Sequence, residues 1–96
     1  MKTTQIKRYK IKPKCWNDFL EVWREIVVMR RKHGFGILFA FADRETNWFT
    51  WAIDHDSDFD KAAENYYNDP DRIELDRVEE YVSEWEIRVV ESLPIP

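Results

Sequence analysis

Residues 34–42 read GFGILFAFA. This apolar stretch determines which surface the other elements of the chain must bury. Large side chains occupy its odd positions, Phe35, Ile37, Phe39 and Phe41, whereas the even positions are mostly small. Alternate residues of a strand lie on opposite faces. We therefore expect a strand over Phe35–Ala42 with apolar side chains on both faces, and both faces buried. The run is too short for a transmembrane helix, which needs about 20 residues.

A hairpin is predicted directly after this strand. The polar residues DRET are typical of a turn, and NWFTWAID at 47–54 then reads as the next strand. A tight connection makes the two strands antiparallel neighbours. In the favoured register, small residues face large ones, with Ala40 and Ala42 opposite Trp51 and Phe49.

The segments before the hairpin predict a strand and a long helix. Thr3–Lys12 alternates and is rich in Ile, Thr and Tyr, which indicates a strand that ends at Pro13. Trp16–His33 has helical spacing, and Gly34 supplies a residue that can adopt the left-handed conformation closing such a helix. The predicted inner stripe consists of Trp16, Phe19, Leu20, Trp23, Ile26, Val27 and Arg30.

The segments after the hairpin predict two helices and a last strand. The second helix spans Ser57–Asn68 and ends at Asp69-Pro70. Asp71 can cap a short third helix that extends to Glu80. Tyr81–Leu93 alternates and indicates a strand with Trp85, Ile87 and Val89 on one face.

The predicted order is β-α-β-β-α-β, which is typical of a ferredoxin-like α+β fold with a four-stranded antiparallel sheet. Residues 1–96 form one domain. The helices cover one face of the sheet, so the second apolar face of residues 35–42 has no cover from its own chain. Because exposed apolar faces of that size associate, we predict a two-fold homodimer with paired sheets.

Composition excludes several classes of function. The net charge of −4 argues against nucleic-acid binding, and the N-terminus has no apolar segment typical of a secretory signal. The single cysteine, Cys15, cannot form an internal disulfide, which favours a cytoplasmic protein. The sequence contains no glycine-rich phosphate loop, no cysteine pair, no H-E-x-x-H and no G-x-S-x-G.

The acidic segment DHDSDFD at 54–60 has two interpretations. As a helix start, Ser57 caps and Asp60 completes a capping box, with the aspartates near the positive end of the helix dipole. As a metal site, Asp54, His55 and Asp56 would offer a weak set of ligands. A calcium loop would require glycine where Phe59 stands. We favour the helix start and predict no metal.

The aromatic residues also have two interpretations. They could line a flat-ligand pocket between sheet and helices, with tyrosine hydroxyl groups as polar anchors, or form a plain aromatic core. The residues concerned are Tyr9, Trp23, Trp51, Tyr66 and Tyr67.

The positive charges on the first strand leave a further choice open. Glu84 and Glu86 on the last strand could pair with Arg8 or Lys10 across the sheet. Alternatively, Arg8 could anchor an anionic ligand, since its planar guanidinium suits a carboxylate.

The segments HGFGILFAFADRETNWFTWAIDHDSDFDKAAENYYNDPDR and IKRYKIKP resemble the NIPSNAP-like branch of the dimeric α+β barrel superfamily. The shared features are a tyrosine on the first strand, GF before the second, FTW on the third, and YY, DP and R at the end of the second helix. The resemblance implies a homodimeric barrel, often with a pocket between sheet and helices, and no settled activity for small bacterial members.

Other members of that superfamily include cofactor-independent monooxygenases, haem-degrading monooxygenases and lactone isomerases. The haem-degrading members carry a histidine ligand on the second helix, where this chain has Tyr66 and Tyr67 and no histidine. We therefore expect no cofactor.

These observations favour a small homodimeric protein that binds a planar or aromatic ligand. A cofactor-independent monooxygenase or isomerase is the first alternative, and a structural or interaction module without a ligand is the second. For an enzyme, Tyr66, Tyr67 and Trp51 would shape the pocket, and His55 or Arg8 would handle protons or charge. The candidate catalytic residues are His55 and Tyr67.

Overall fold

Four strands and three α-helices follow one another along residues 2–96, the part of the chain that the computed structural model describes. The elements are β1 (Thr3–Ile11), α1 (Trp16–Lys32), β2 (Gly36–Asp43), β3 (Trp48–His55), α2 (Phe59–Asn68), α3 (Pro70–Ile73), a 3₁₀ segment (Glu74–Tyr81) and β4 (Val82–Val90).

The strands form one sheet in the order β2-β3-β1-β4, and all neighbouring strands are antiparallel. This topology confirms the predicted ferredoxin-like α+β fold. The helices pack on one face of the sheet, and the molecule measures 39 × 39 × 18 Å. Its smallest dimension corresponds to one sheet and one layer of helices, so the other face of the sheet stays open.

The helix α1 buries a stripe with the predicted spacing and ends where expected. Its buried residues include Phe19, Ile26 and Arg30. Gly34 follows with φ +85°, a conformation that side chains with a Cβ rarely adopt. A Cβ at this position would also lie 3.0 Å from His55 Nε2, so glycine satisfies both the turn and the close approach of β3.

Strand β2 contains a bulge at Leu38 that the alternation of the sequence did not reveal. Ile37 pairs with Ile53, but Phe39 pairs with the neighbouring residue of β3, Ala52. The extra residue reverses the facing of the later side chains of the strand. Ile37 lies on the helix side, whereas Phe39 and Phe41 lie on the open side. The prediction that these three side chains share a face is therefore wrong.

The expected burial of both β2 faces is also not found within the single chain. Phe41 is 66% exposed, and its ring stacks on that of Phe39 at 5.3 Å between centroids. The helices cannot reach these rings, because they cover the other side of the sheet.

The predicted register of the hairpin is confirmed, with Ala40 opposite Trp51 and Ala42 opposite Phe49. The turn before β3 includes Asn47 at φ 63°, a left-handed conformation that asparagine tolerates. Its side-chain oxygen accepts a hydrogen bond from Trp16 Nε1 at 2.9 Å, which ties the turn to the start of α1.

The segment DHDSDFD does start α2, but with a different cap. Asp58, not Ser57, accepts a hydrogen bond from the backbone N–H of Lys61 at 3.0 Å. The backbone N–H of Ser57 instead donates to His55 Nδ1 at 3.2 Å. Within residues 2–96, no group of three or more His, Cys, Asp or Glu side chains is placed to hold a metal ion.

The third helix is shorter than predicted and is capped by Asp69 rather than Asp71. The 3₁₀ segment after it buries Leu75 and Val78 in the core. Strand β4 then returns beside β1. Its helix-side residues Trp85 and Ile87 remain half-exposed, since the helices do not extend fully over this edge strand. None of the helices in the described part of the chain is long and apolar enough to cross a membrane.

Candidate functional site

A cavity of about 340 Å³ lies between the covered face of the sheet and the helices. The sheet contributes Tyr9 and Trp51 to its lining, and α1 contributes Trp23. Tyr66 and Tyr67 come from α2. A volume of this size suits a small organic molecule.

Aromatic rings make up much of the lining of the cavity. The rings of Trp23 and Trp51 meet edge to face at 5.7 Å and 86°. On the side of β4, the ring of Trp85 meets that of Tyr9 at 4.7 Å and 65°. Trp85 is half-exposed, so the cavity extends from the aromatic core to the surface at this edge of the sheet.

Three tyrosine hydroxyl groups line the cavity, and each accepts a hydrogen bond. Trp51 Nε1 donates to the Tyr9 hydroxyl at 3.0 Å. Arg72 Nε donates to that of Tyr66 at 2.6 Å, and Arg30 Nη2 to that of Tyr67 at 3.0 Å. Indole and guanidinium nitrogens have no acceptor function, so each phenol keeps its own proton to donate. In residues 2–96, no side chain or backbone acceptor takes these protons.

Three positively charged side chains line the same cavity and are almost fully buried. Lys7 from β1 is 3% exposed and Arg30 from α1 is 2% exposed, while Arg72 from α3 is also buried. The Arg30 guanidinium lies 3.8 Å from the centroid of the Tyr66 ring, and that of Arg72 lies 5.1 Å from it. The two guanidinium groups therefore flank one tyrosine ring, which offers each a cation–π contact.

Only one of these three charged groups has a carboxylate partner among the described residues. Arg72 Nη1 pairs with Asp76 at 2.8 Å. Arg30 Nε and Nη1 are buried and have no hydrogen-bond partner among the described residues. Burial, and then the charges of Arg30 and Arg72, lower the pKa of Lys7 from 10.5 to about 7. The ammonium group of Lys7 is thus destabilised by its surroundings in the absence of a ligand.

Burial also keeps two of the phenols protonated. It raises the pKa of Tyr9 well above its ordinary value, and it raises the pKa of Tyr66 in the same direction. Both hydroxyl groups therefore act as hydrogen-bond donors over the physiological pH range.

Five of the six ligand-binding candidates line this cavity: Tyr9, Trp23, Trp51, Tyr66 and Tyr67. The sixth, Arg8, does not line it. It lies on the open face of the sheet, where its guanidinium stacks over Trp48 at 4.5 Å and forms with Glu86, at 3.3 Å, one of the cross-strand pairs that the sequence offered as its other interpretation. The alternation of β1 explains the difference, since Arg8 points away from the face that carries Lys7 and Tyr9.

Of the two catalytic candidates, one lines the cavity and the other does not. Tyr67 lines the cavity, but His55 lies at the end of β3 with its ring against Phe35 at 5.0 Å. His55 does not line the cavity, so the structure does not bring it together with the other candidates.

The buried cations were the residues that sequence reasoning missed as a group. Two signals pointed to them. Lys7 is two residues from Tyr9 and so shares its face of the strand, and Arg30 falls on the apolar stripe of α1. Arg72 is the R of the YY, DP and R feature of the resemblance, but it comes after a helix break, so no periodicity places it on the face of the other two.

No family model and no curated protein matches this sequence. Solved structures do share its fold. A NIPSNAP family protein from Agrobacterium tumefaciens superposes with a TM-score of 0.83 at 14% identity, over 97% of this chain and 94% of that one. An uncharacterized NIPSNAP domain protein from Burkholderia xenovorans gives 0.80 at 13% identity, over 97% and 95%.

A third structure extends the comparison to another group. A protein from Nitrosomonas europaea, named as a candidate antibiotic biosynthesis monooxygenase, gives a TM-score of 0.76 at 13% identity, over 96% of this chain and 90% of that one. At such identities the similarity establishes a common fold. The chain thus has the NIPSNAP-like ferredoxin fold that its sequence resembled.

Proposed function

We propose that this protein is a homodimeric α+β barrel protein that binds a small planar or aromatic ligand between its sheet and its helices. The observation that carries the proposal is the cavity of about 340 Å³. Aromatic side chains line it, and three of them, Tyr9, Tyr66 and Tyr67, carry hydroxyl groups that can donate hydrogen bonds. A mostly apolar pocket with a few convergent polar groups is the usual form of a small-molecule site.

The open face of the sheet supports the homodimer. Its β2 side exposes the stacked rings of Phe39 and Phe41, with Leu38 next to them. A contiguous apolar patch of this kind on a thin two-layer molecule favours association. The same face carries the Arg8–Glu86 pair, so it presents charges of both signs to an identical copy.

A cytoplasmic location is part of the proposal. Cys15 is a free, half-buried thiol, which is the state that a reducing compartment maintains.

Filling the mouth of the cavity tests ligand binding. Ile87 lines the cavity and is half-exposed, so Ile87→Trp should occupy its outer part without disturbing the core. We expect planar compounds such as 2-naphthoate and 2-naphthamide to raise the Tm of the wild-type protein in a thermal-shift assay, because a ligand that binds the folded state stabilises it. Ile87→Trp should abolish that increase.

Val89→Trp is the matched control. Val89 lies two residues further along β4, on the same face of the strand and outside the cavity. This variant should respond to the compounds like the wild type. The proposal fails if no planar compound changes the Tm, or if both tryptophan variants behave alike.

A cofactor-independent monooxygenase or isomerase is the alternative, favoured by the presence of Tyr67 and Lys7 in the cavity and by the fold shared with the Nitrosomonas protein. Turnover of a quinol or aromatic acid by the purified protein would support it. Tyr67→Phe would then lower kcat far more than it weakens the binding of the compound.

A further inference from the structure

The cavity has an excess of positive charge that its own chain does not neutralise. Lys7 and Arg30 have no ion pair with any of residues 2–96, and each is at least nine-tenths buried. A buried cation without a partner costs free energy, so the folded protein holds this arrangement at the expense of its stability. Such a cost is common where a binding site awaits a charged ligand.

The hydrogen-bonding groups that line the cavity, like its positive charges, suit a ligand with acceptor atoms. The hydroxyl groups of Tyr9, Tyr66 and Tyr67 each accept one bond, from Trp51, Arg72 and Arg30, and each keeps a proton to donate. An ammonium group offers only protons. The lining therefore favours a ligand that accepts hydrogen bonds, and an anionic acceptor would satisfy the charge as well.

Carboxylates of the protein do not fill this role. Asp76 pairs with Arg72, and its side chain is 60% exposed, which places it toward the solvent. Glu79 lines the cavity but forms no ion pair with another of the described residues. The cations therefore face the space of the cavity rather than a carboxylate.

We propose that the planar ligand carries an anionic oxygen group, with a carboxylate as the simplest case, and that this group binds at the end of the cavity lined by Lys7, Arg30, Arg72, Tyr66 and Tyr67. This inference rests on the proposed function and specifies the class of ligand. The rings of Tyr9, Trp51 and Trp85 then contact the body of the ligand.

Binding of the anion and protonation of Lys7 are coupled. The titratable or charged groups that line the cavity with Lys7 are Tyr9, Arg30, Tyr66, Tyr67, Arg72 and Glu79. The two guanidinium groups and burial hold the pKa of Lys7 near 7, and a bound anion would raise it. The anion should therefore bind more tightly below this pH, where Lys7 is charged, and more weakly as pH rises.

The test compares two ligands of the same shape, 2-naphthoate and its uncharged amide 2-naphthamide. Affinities are measured by titration calorimetry with the wild-type protein, Lys7→Met and Lys12→Met. At about pH 6 we expect the carboxylate to bind at least about tenfold more tightly than the amide. This preference should shrink at about pH 8.5, since Lys7 is then largely neutral.

The two variants test whether the preference for the carboxylate over the amide arises in the cavity. Lys7→Met should lower the affinity for 2-naphthoate about tenfold or more and that for 2-naphthamide much less. Lys12→Met removes the same charge from an exposed position just beyond β1 and should bind like the wild type. Equal binding of the two compounds would overturn the anionic ligand but leave the planar one intact. Binding of neither would overturn the proposed function as well.

Discussion

Lys7 shows how one side chain can serve a site and weaken the fold. Its ammonium group is buried beside two guanidinium groups, and no carboxylate offsets the loss of hydration. The folded state consequently holds the Lys7 proton less tightly than the unfolded chain does. An apolar side chain at this position would contribute as much to the core. The presence of a lysine is therefore consistent with a function in the cavity.

Replacing this lysine should therefore stabilise the protein. At about pH 6, Lys7→Met should increase the free energy of unfolding by about 1–4 kcal/mol, because the variant buries a similar shape without the charge. Thermal or urea unfolding of both proteins measures the difference.

The pH dependence gives a second measure of the same effect. Between pH 7 and the ordinary pKa of 10.5, the unfolded wild-type chain binds more protons at Lys7 than the folded one. The stability of the wild type should therefore rise with pH from about 7 to about 9, and this rise should be absent in Lys7→Met. A variant less stable than the wild type at low pH would contradict the assignment.

At the scale of elements, the bulge in β2 has the largest consequence for the surface. Because the period of a strand is two, one inserted residue moves every later side chain to the other face. Leu38 is that residue, and it places Phe39 and Phe41 on the open face while Ile37 stays in the core. The exposed apolar surface formed by Phe39 and Phe41 thus depends on the bulge, not on the composition of the strand.

The junction between α1 and α3 depends on Asp69. Its Oδ2 atom accepts hydrogen bonds from Lys32 Nζ and His33 Nε2, both at 2.9 Å, and its Oδ1 caps α3 through the N–H of Asp71. The hydrogen bond from Lys32, followed by that from His33, lowers the pKa of Asp69 from 3.8 to about 2. One carboxylate therefore joins the end of the long helix to the start of the short one.

Asp69→Asn should lower the Tm by several degrees near neutral pH, because asparagine can still cap but brings no charge. The depressed pKa means that the contribution of Asp69 is present above about pH 4 and is lost as pH falls toward 2. The difference in Tm between variant and wild type should shrink over that range.

Asp71→Asn serves as the matched control for the junction. Asp71 lies 3.8 Å from the same lysine but its side chain is 73% exposed, so its removal should change the Tm little. Equal effects of the two substitutions would show that the junction is not held by Asp69.

At the scale of the whole molecule, the open face of the sheet determines the assembly that we propose. The molecule is 18 Å thick, so one face of its sheet has no second layer packed against it. Two copies placed face to face would each supply that layer to the other. The cavity lies on the opposite side of the sheet, so the proposed dimer and the proposed ligand would use separate surfaces.

Phe41→Glu should convert the dimer to single chains in sedimentation velocity at micromolar concentration. A carboxylate at this place would be buried without a partner in the interface. Val28→Glu is the control, because Val28 is also 66% exposed but lies on α1. It should sediment like the wild type. Wild-type protein that sediments as single chains would remove the dimer from the proposal.

The order of the elements and the pairing of small with large side chains in the hairpin could be read from the sequence. These features depend on local periodicity, turn residues and the match of small to large side chains, all of which are visible within a few neighbouring residues. The aromatic residues that line the cavity could be named as candidates, but the sequence left a plain aromatic core as the other interpretation.

The bulge and the cationic end of the cavity could not be read in this way. Residues 35–41 are apolar at odd and even positions, so a shift of one residue leaves no mark on the pattern, and the segment looked like a regular alternation. Lys7, Arg30 and Arg72 come from three elements far apart in the chain. Only the packing of those elements brings their charges into one cavity, because contacts across such distances depend on how the whole chain folds and not on any local segment.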